Sequence, residues 1–98
     1  MSVDLAHFLA GVAGPVLVLA DNPAIAAAAP RWAAAFAQTG TVHRVRLVGR
    51  ATAPEIAAVL AEAENLGAAT ILAAGSGSSV EIGQAVASRL GRPLLTAP

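Results

Sequence analysis

Four short apolar runs alternate with longer alanine-rich segments along this chain, and this alternation restricts the possible folds more than any other feature. The runs lie at 15–20, 41–48, 70–74 and 93–97. Runs of this length are typical of strands, and the first and third are apolar on both faces, as buried strands of parallel sheets are. Strands that alternate with helices predict an α/β domain with right-handed crossovers.

The second run differs from the others because it alternates polar and apolar residues. Arg44 and Arg46 fall on one face of the predicted strand, and His43, Val45 and Leu47 on the other. Two arginines on one face indicate an edge strand with a solvated side. The predicted fold is therefore a three-layer α/β domain of Rossmann or flavodoxin-like type, with a four-stranded parallel sheet in the order 2-1-3-4.

The segments between the strands carry helix signals. Asn22 is a candidate N-cap with Pro23 at the first helical position, and the helix toward Gly40 either kinks at Pro30 or is divided there. Further helices are predicted at 2–10, from a Thr52–Glu55 capping box to Gly67, and from Ser79 to Leu90.

Length and composition exclude several classes of protein. A chain of 98 residues allows one domain, 1–98, and 56% hydrophobic residues argue against disorder. Zero net charge argues against electrostatic nucleic-acid binding, and the lack of cysteine excludes disulfides and thiolate metal sites. The apolar stretch 8–20 is interrupted and too short to span a membrane, and no basic leader precedes it, so we expect a cytoplasmic protein without membrane contact.

The predicted strand order points to a ligand site. In an open parallel sheet, ligands bind beyond the carboxyl ends of the strands, at the point where the strand order reverses. Here that point lies between the first and third strands. We therefore expect the loop Asp21–Asn22 and the loop Gly75–Ser79 to converge there.

The loop 75–79 is the chain's single cluster of glycine and serine, and it joins a strand to a helix. Glycines allow close backbone approach, and the helix amino end offers N–H groups to a phosphate. It matches neither the G-x-G-x-x-G fingerprint nor the P-loop, since no lysine follows. The alternative is an ordinary strand-to-helix turn in which Ser78 and Glu81 form a capping box.

Asp21 also has two interpretations. Aspartate after a strand is a common turn former and helix cap, but a carboxylate at this place also accepts hydrogen bonds from a ribose diol. The candidate cofactor-binding residues are Asp21, Asn22, Gly75, Ser76, Gly77, Ser78, Ser79 and Glu81. We assign no catalytic residue and no metal ligand, because His7 and His43 have no evident partners and no histidine follows the serine loop.

The segment 66–98 resembles the amino-terminal nucleotide-binding domain of the iron-containing alcohol dehydrogenase family, to which glycerol dehydrogenase, glycerol-1-phosphate dehydrogenase and 3-dehydroquinate synthase belong. The family pattern is G-G-G-S-x-x-D-x-x-K, followed by a helix and a strand that ends in Pro-Thr. This chain has Gly75-Ser76-Gly77-Ser78, then Glu81 and Gln84, and later Leu90-Gly91-Arg92-Pro93. Its first strand ends in Asp21, as in the family, and the resemblance extends over about 15–98.

The resemblance implies NAD as cofactor, with the pyrophosphate on Gly75, Gly77 and Ser78 and the adenosine ribose on Asp21. Glu81 and Gln84 replace the family's aspartate and lysine, so a positive charge is missing. The family's metal-binding helical domain would lie beyond Pro98. We therefore expect a partial NAD site without a metal, and no hydride transfer by this chain alone.

Two other functions remain open. The low content of charged residues and an exposed fourth strand favour a non-enzymatic interaction domain that forms homo-oligomers or binds a partner chain. The serines of the loop also fit a sugar-phosphate module similar to the sugar isomerase domains.

Overall fold

The computed structural model describes residues 12–27, 29–75 and 77–97, and the helix predicted at 2–10 lies outside them. The elements follow the predicted alternation of strands and helices. In chain order they are β1 (Val16–Ala20), α1 (Pro23–Ala26), α2 (Ala29–Thr39), β2 (His43–Leu47), α3 (Ala53–Leu66), β3 (Thr70–Ala74), α4 (Ser78–Leu90) and β4 (Leu94–Ala97).

The four strands form one parallel sheet in the order β2-β1-β3-β4, which confirms the predicted topology. Strand β1 pairs on both sides in the same register: Val16 lies opposite His43 and Thr70, and Ala20 lies opposite Leu47 and Ala74. The carboxyl ends of β1, β2 and β3 are therefore level with one another. The loops that follow these three strands therefore all begin at the same edge of the sheet.

The core consists of two layers of apolar side chains, one on each face of the sheet. Leu17 and Leu19 pack with Val59 of α3 and with Ile82 and Val86 of α4. The alternate residues of β1 pack on the other face, where the partners come from α2. That second layer contains Val16, Val18, Trp32, Phe36 and Leu72. All residues of β1 and β3 are buried, as their continuous apolar runs predict.

The charged face of β2 is partly covered by α3, so the expectation of a solvated side holds for Arg44 but not for Arg46. Arg46 lies 3.2 Å from Glu55 and 3.6 Å from Glu62, and Arg44 lies 4.0 Å from Glu62. The side chain of Arg46 is only 26% exposed. The edge position is right, and both arginines approach helix carboxylates, but 49% of the Arg44 side chain remains exposed. Charges directed inward on an edge strand also discourage pairing with another sheet.

The two possibilities left open at Pro30 are settled by the helix boundaries. A short helix ends at Ala26, and a second begins at Ala29 and includes Pro30 in its first turn, where a proline is tolerated. The capping box at Thr52 is only half formed. The hydroxyl of Thr52 accepts the Glu55 N–H at 3.3 Å, but the Glu55 carboxylate binds Arg46 and the Gly49 N–H instead of returning to Thr52.

Gly83 allows α4 to pack closely on the sheet. A Cβ atom there would lie 2.9 Å from Leu94 Cδ1 and 3.6 Å from Ala73 Cβ. We expect Gly83→Val to lower the free energy of unfolding by about 1–3 kcal/mol through overpacking. The matched control is Gln84→Val, which places the same side chain on the exposed side of the helix. It should change stability by less than about 0.5 kcal/mol. Equal urea midpoints for the two variants would contradict this packing.

His43 on β2 stacks on Phe36 with ring centroids 4.5 Å apart, and burial lowers its pKa from the usual 6.5. The unfolded chain therefore binds the proton more readily than the native protein does. This histidine should not affect the pH dependence above pH 6.5, and it should reduce stability as the pH falls below 6.5. Urea unfolding of wild type and His43→Gln between pH 7.5 and 5.5 tests this. The variant should lose less stability, and parallel losses would refute the assignment.

Candidate functional site

The loops that follow β1 and β3 meet at the carboxyl edge of the sheet. The backbone N–H of Ser79, in the first turn of α4, donates to Asp21 Oδ2 at 3.4 Å. The level register of β1 and β3 explains this contact, because Ala20 and Ala74 lie side by side and the residues that follow them leave the sheet at the same edge. We call this place the mouth, defined by Asp21, Asn22 and the described residues of 75–79.

The β3–α4 loop adopts a backbone conformation that requires glycine. Gly75 has φ 108°, and Gly77 has φ 63° with ψ −114°, a combination that residues with a Cβ atom avoid. Gly77 is the N-cap of α4 and makes no side-chain cap, and the Asp21 side chain accepts the Ser79 N–H instead. Gly75 and Gly77 place no side chain over the amino end of α4, which allows a ligand to approach its backbone closely.

The alternative in which Ser78 and Glu81 form a capping box is wrong. The helix begins one residue earlier, so Ser78 is its first residue rather than its cap. The Glu81 N–H donates to the Gly77 carbonyl at 3.0 Å, and Glu81 is exposed. The conformation of Gly77 is the physical reason, since it makes Gly77 the N-cap and places Ser78 inside the first turn.

Ser79 is fully buried, unlike the other described residues of the mouth. It belongs to the face of α4 that also buries Ile82, Gly83 and Val86, so its side chain is on the sheet-facing side of the first turn. Its Oγ has no hydrogen-bond partner among the described residues. A buried hydroxyl without a partner is costly, so we expect a water or a ligand to supply one.

The remaining candidate residues occupy the rim of the mouth. Asp21, Gly75 and Ser78 are half-buried, whereas Asn22 and Gly77 are exposed. The Asn22 carbonyl accepts the Ala26 N–H at 2.9 Å, as expected of the residue that begins α1. Ser76, which we also predicted to bind the cofactor, lies outside the described residues.

A carboxylate also occupies the carboxyl end of β2, which the sequence analysis did not anticipate. Glu55 Oε2 accepts the Gly49 N–H at 2.7 Å, and Glu55 Oε1 accepts a hydrogen bond from Arg46 at 3.2 Å. The Gly49 N–H in the loop after β2 is therefore already bonded to the protein's own carboxylate and is not available to a ligand. The sequence signal for this carboxylate was the capping-box spacing of Thr52 and Glu55. That spacing predicted the Thr52 N–H as the partner of Glu55, not Gly49 or Arg46.

A depression of about 200 Å³ lies at the other end of the same strands. It is lined by Gly14, Pro15, Gly40, Thr41 and Val42, which directly precede β1 and β2. It is therefore separated from Asp21 by the length of β1. It contains none of the residues that the sequence analysis selected.

In the part of the chain that the structure describes, no three His, Asp or Glu side chains are grouped as a metal site requires. Within 12–27, 29–75 and 77–97, no helix combines the length and the apolar character needed to cross a membrane. A scan against models of protein families gave no match, and neither did a search of curated proteins.

Because Asp21 places a negative charge at the amino end of α4, it should stabilise that helix. We expect Asp21→Asn, which keeps an oxygen acceptor and removes the charge, to lower the free energy of unfolding by about 0.3–1 kcal/mol. Glu64→Gln is the control, since it removes an exposed carboxylate near the carboxyl end of α3 and should not destabilise the protein. Urea unfolding at low salt measures both, and an Asp21→Asn variant as stable as wild type would contradict the charge effect.

Proposed function

We propose that this domain binds an NAD-type dinucleotide at the mouth and is not catalytic by itself. The observation that carries the proposal is the contact of 3.4 Å between Asp21 and the Ser79 N–H, because it joins a carboxylate from β1 to the amino end of α4. In nucleotide sites of α/β sheets, these two groups serve the ribose diol and the pyrophosphate.

The backbone at the mouth suits a pyrophosphate. Gly75 and Gly77 carry no side chains that would keep a ligand away from the start of α4, and a Cβ atom at Gly77 would meet nothing within 4 Å. The amino end of α4 supplies N–H donors and a partial positive charge. These donors stand in for the lysine that the chain lacks.

The resemblance to the iron-containing alcohol dehydrogenases supports the same assignment of residues. By that resemblance Asp21 would accept the adenosine ribose and would disfavour a 2′-phosphate. The groups at the mouth are amides, hydroxyls and a single carboxylate, which hold a ligand. Hydride transfer in that family depends on a further domain that carries the metal ligands, so we propose a binding role for this segment.

Titration of the isotope-labelled chain with NAD, followed by backbone amide NMR, tests the proposal. Shifts should concentrate at Asp21, Gly75 and at 77–79, and NADP should bind more weakly than NAD. Unchanged amides in these residues at millimolar NAD would overturn the proposal.

Gly77→Ala and Gly67→Ala form a matched pair for the same titration. Both glycines have positive φ, and a Cβ atom meets nothing within 4 Å at either position. Gly67 ends α3 at the amino side of the sheet, whereas Gly77 is at the mouth. NAD affinity should fall about tenfold or more in Gly77→Ala, because the loop must rearrange, and should be preserved in Gly67→Ala. Equal NAD affinities of the two variants would show that the loop at Gly77 does not contribute to NAD binding.

A sugar phosphate is the competing ligand, since serine hydroxyls and a helix amino end also suit a phosphomonoester. Titration with a sugar monophosphate under the same conditions separates the two, because a dinucleotide should shift Asp21 and Asn22 together with the 77–79 amides. A sugar phosphate that binds more tightly than NAD would favour the second ligand class.

An interaction domain is the alternative of a different kind. Exposed Val42 and Leu47 flank the β2 edge, with 62% and 51% of their surface accessible. The inward arginines of β2 act against edge pairing there, which leaves the β4 edge as the surface for a second copy or a partner chain. Light scattering over a wide concentration range tests this, and a monomer throughout would count against it.

A further inference from the structure

The carboxylate of Asp21 occupies the position at the amino end of α4 that the proposed function gives to the ligand's phosphate. We propose that Asp21 is an internal competitor for this anion position, so that the mouth accepts only ligands that satisfy the displaced carboxylate. The inference rests on the proposed function and adds a rule of ligand selection. The ligand class is a phosphate compound with neighbouring hydroxyl groups, and bare phosphate or pyrophosphate is rejected.

The length of the contact indicates that it can be displaced. The Ser79 N–H lies 3.4 Å from Asp21 Oδ2, whereas the Gly49 N–H lies 2.7 Å from Glu55 Oε2 at the end of the neighbouring strand. Strong hydrogen bonds between N–H groups and carboxylates or phosphates measure about 2.7–2.9 Å. The Glu55 contact is within that range, and the Asp21 contact is well beyond it. A phosphate oxygen at about 2.7–2.9 Å from the Ser79 nitrogen would form a stronger hydrogen bond than Asp21 does.

The hydroxyl of Ser79 is a second group in the same turn whose hydrogen-bonding capacity is unused by the described residues. It is buried on the sheet-facing side of the first turn of α4, and no hydrogen-bond partner is found for its Oγ in the described parts of the chain. Asp21 therefore satisfies the backbone donor of Ser79 but not its hydroxyl. A ligand oxygen at the amino end of α4 would supply the acceptor that Asp21 does not.

The chemistry of the exchange explains the selection. A bare anion that replaces Asp21 leaves an unpaired carboxylate close to a second negative charge, which costs free energy. A ribose or another diol beside the phosphate donates two O–H hydrogen bonds to that carboxylate. Replacement of Asp21 by a bare anion is therefore opposed by charge repulsion. Replacement by a phosphate with a neighbouring diol gives the Ser79 N–H a new acceptor and the Asp21 carboxylate new donors.

Isothermal titration of the full chain with pyrophosphate and with NAD tests the proposal in wild type, Asp21→Asn and Glu64→Gln. Glu64 is the control, because it is an exposed acid near the carboxyl end of α3 and is not one of the candidate binding residues. Asp21→Asn should bind pyrophosphate about tenfold more tightly than wild type, whereas Glu64→Gln should remain within about twofold. The ratio of NAD affinity to pyrophosphate affinity should fall about tenfold in Asp21→Asn alone.

The outcomes separate this inference from the proposed function. If wild type binds NAD and Asp21→Asn gains no affinity for pyrophosphate, the competition is refuted and the proposed function stands. If wild type does not bind NAD but Asp21→Asn binds pyrophosphate more tightly than wild type does, the competition stands and the proposed function fails. If no protein binds either ligand, both fail. Circular dichroism verifies folding, and Asp21→Ser takes the place of Asp21→Asn if the asparagine variant does not fold.

Discussion

The level pairing of β1 between β2 and β3 is the constraint on which the rest of the structure depends. Because β1 is buried on both faces and paired on both edges, a shift by one residue would direct its core side chains to the wrong layer. The same register brings Ala20 and Ala74 side by side. Asp21 and the amino end of α4 then lie within hydrogen-bond distance of each other. The candidate site is thus a direct consequence of how the core is packed.

Carboxylates satisfy backbone donors at two strand ends of this sheet, and the difference between them separates a structural contact from a candidate binding contact. Glu55 holds the Gly49 N–H at 2.7 Å and is itself held by Arg46. Asp21 holds the Ser79 N–H only at 3.4 Å, beside a buried hydroxyl without a partner among the described residues. The first arrangement completes the fold. The second leaves hydrogen-bonding capacity for a ligand.

The strands and their order were predictable because β1 and β3 are apolar on both faces and β2 alternates. The position of the mouth followed from that order. The local chemistry was less predictable, since Ser78 and Glu81 have the spacing of a capping box but Gly77 takes the cap position. The partners of Arg46 were also missed, because they depend on how α3 lies across β2. Patterns along a sequence indicate periodicity and turns, whereas the pairing of long charged side chains depends on tertiary geometry.

A crystal structure of the chain with NAD tests the central claim most directly. The account predicts that the pyrophosphate lies within hydrogen-bond distance of the Ser79 N–H, that the Asp21 carboxylate has moved from this N–H to the ribose hydroxyls, and that Ser79 Oγ has gained an acceptor. A dinucleotide bound elsewhere, for example in the depression beside Thr41, with Asp21 still on the Ser79 N–H, would contradict it.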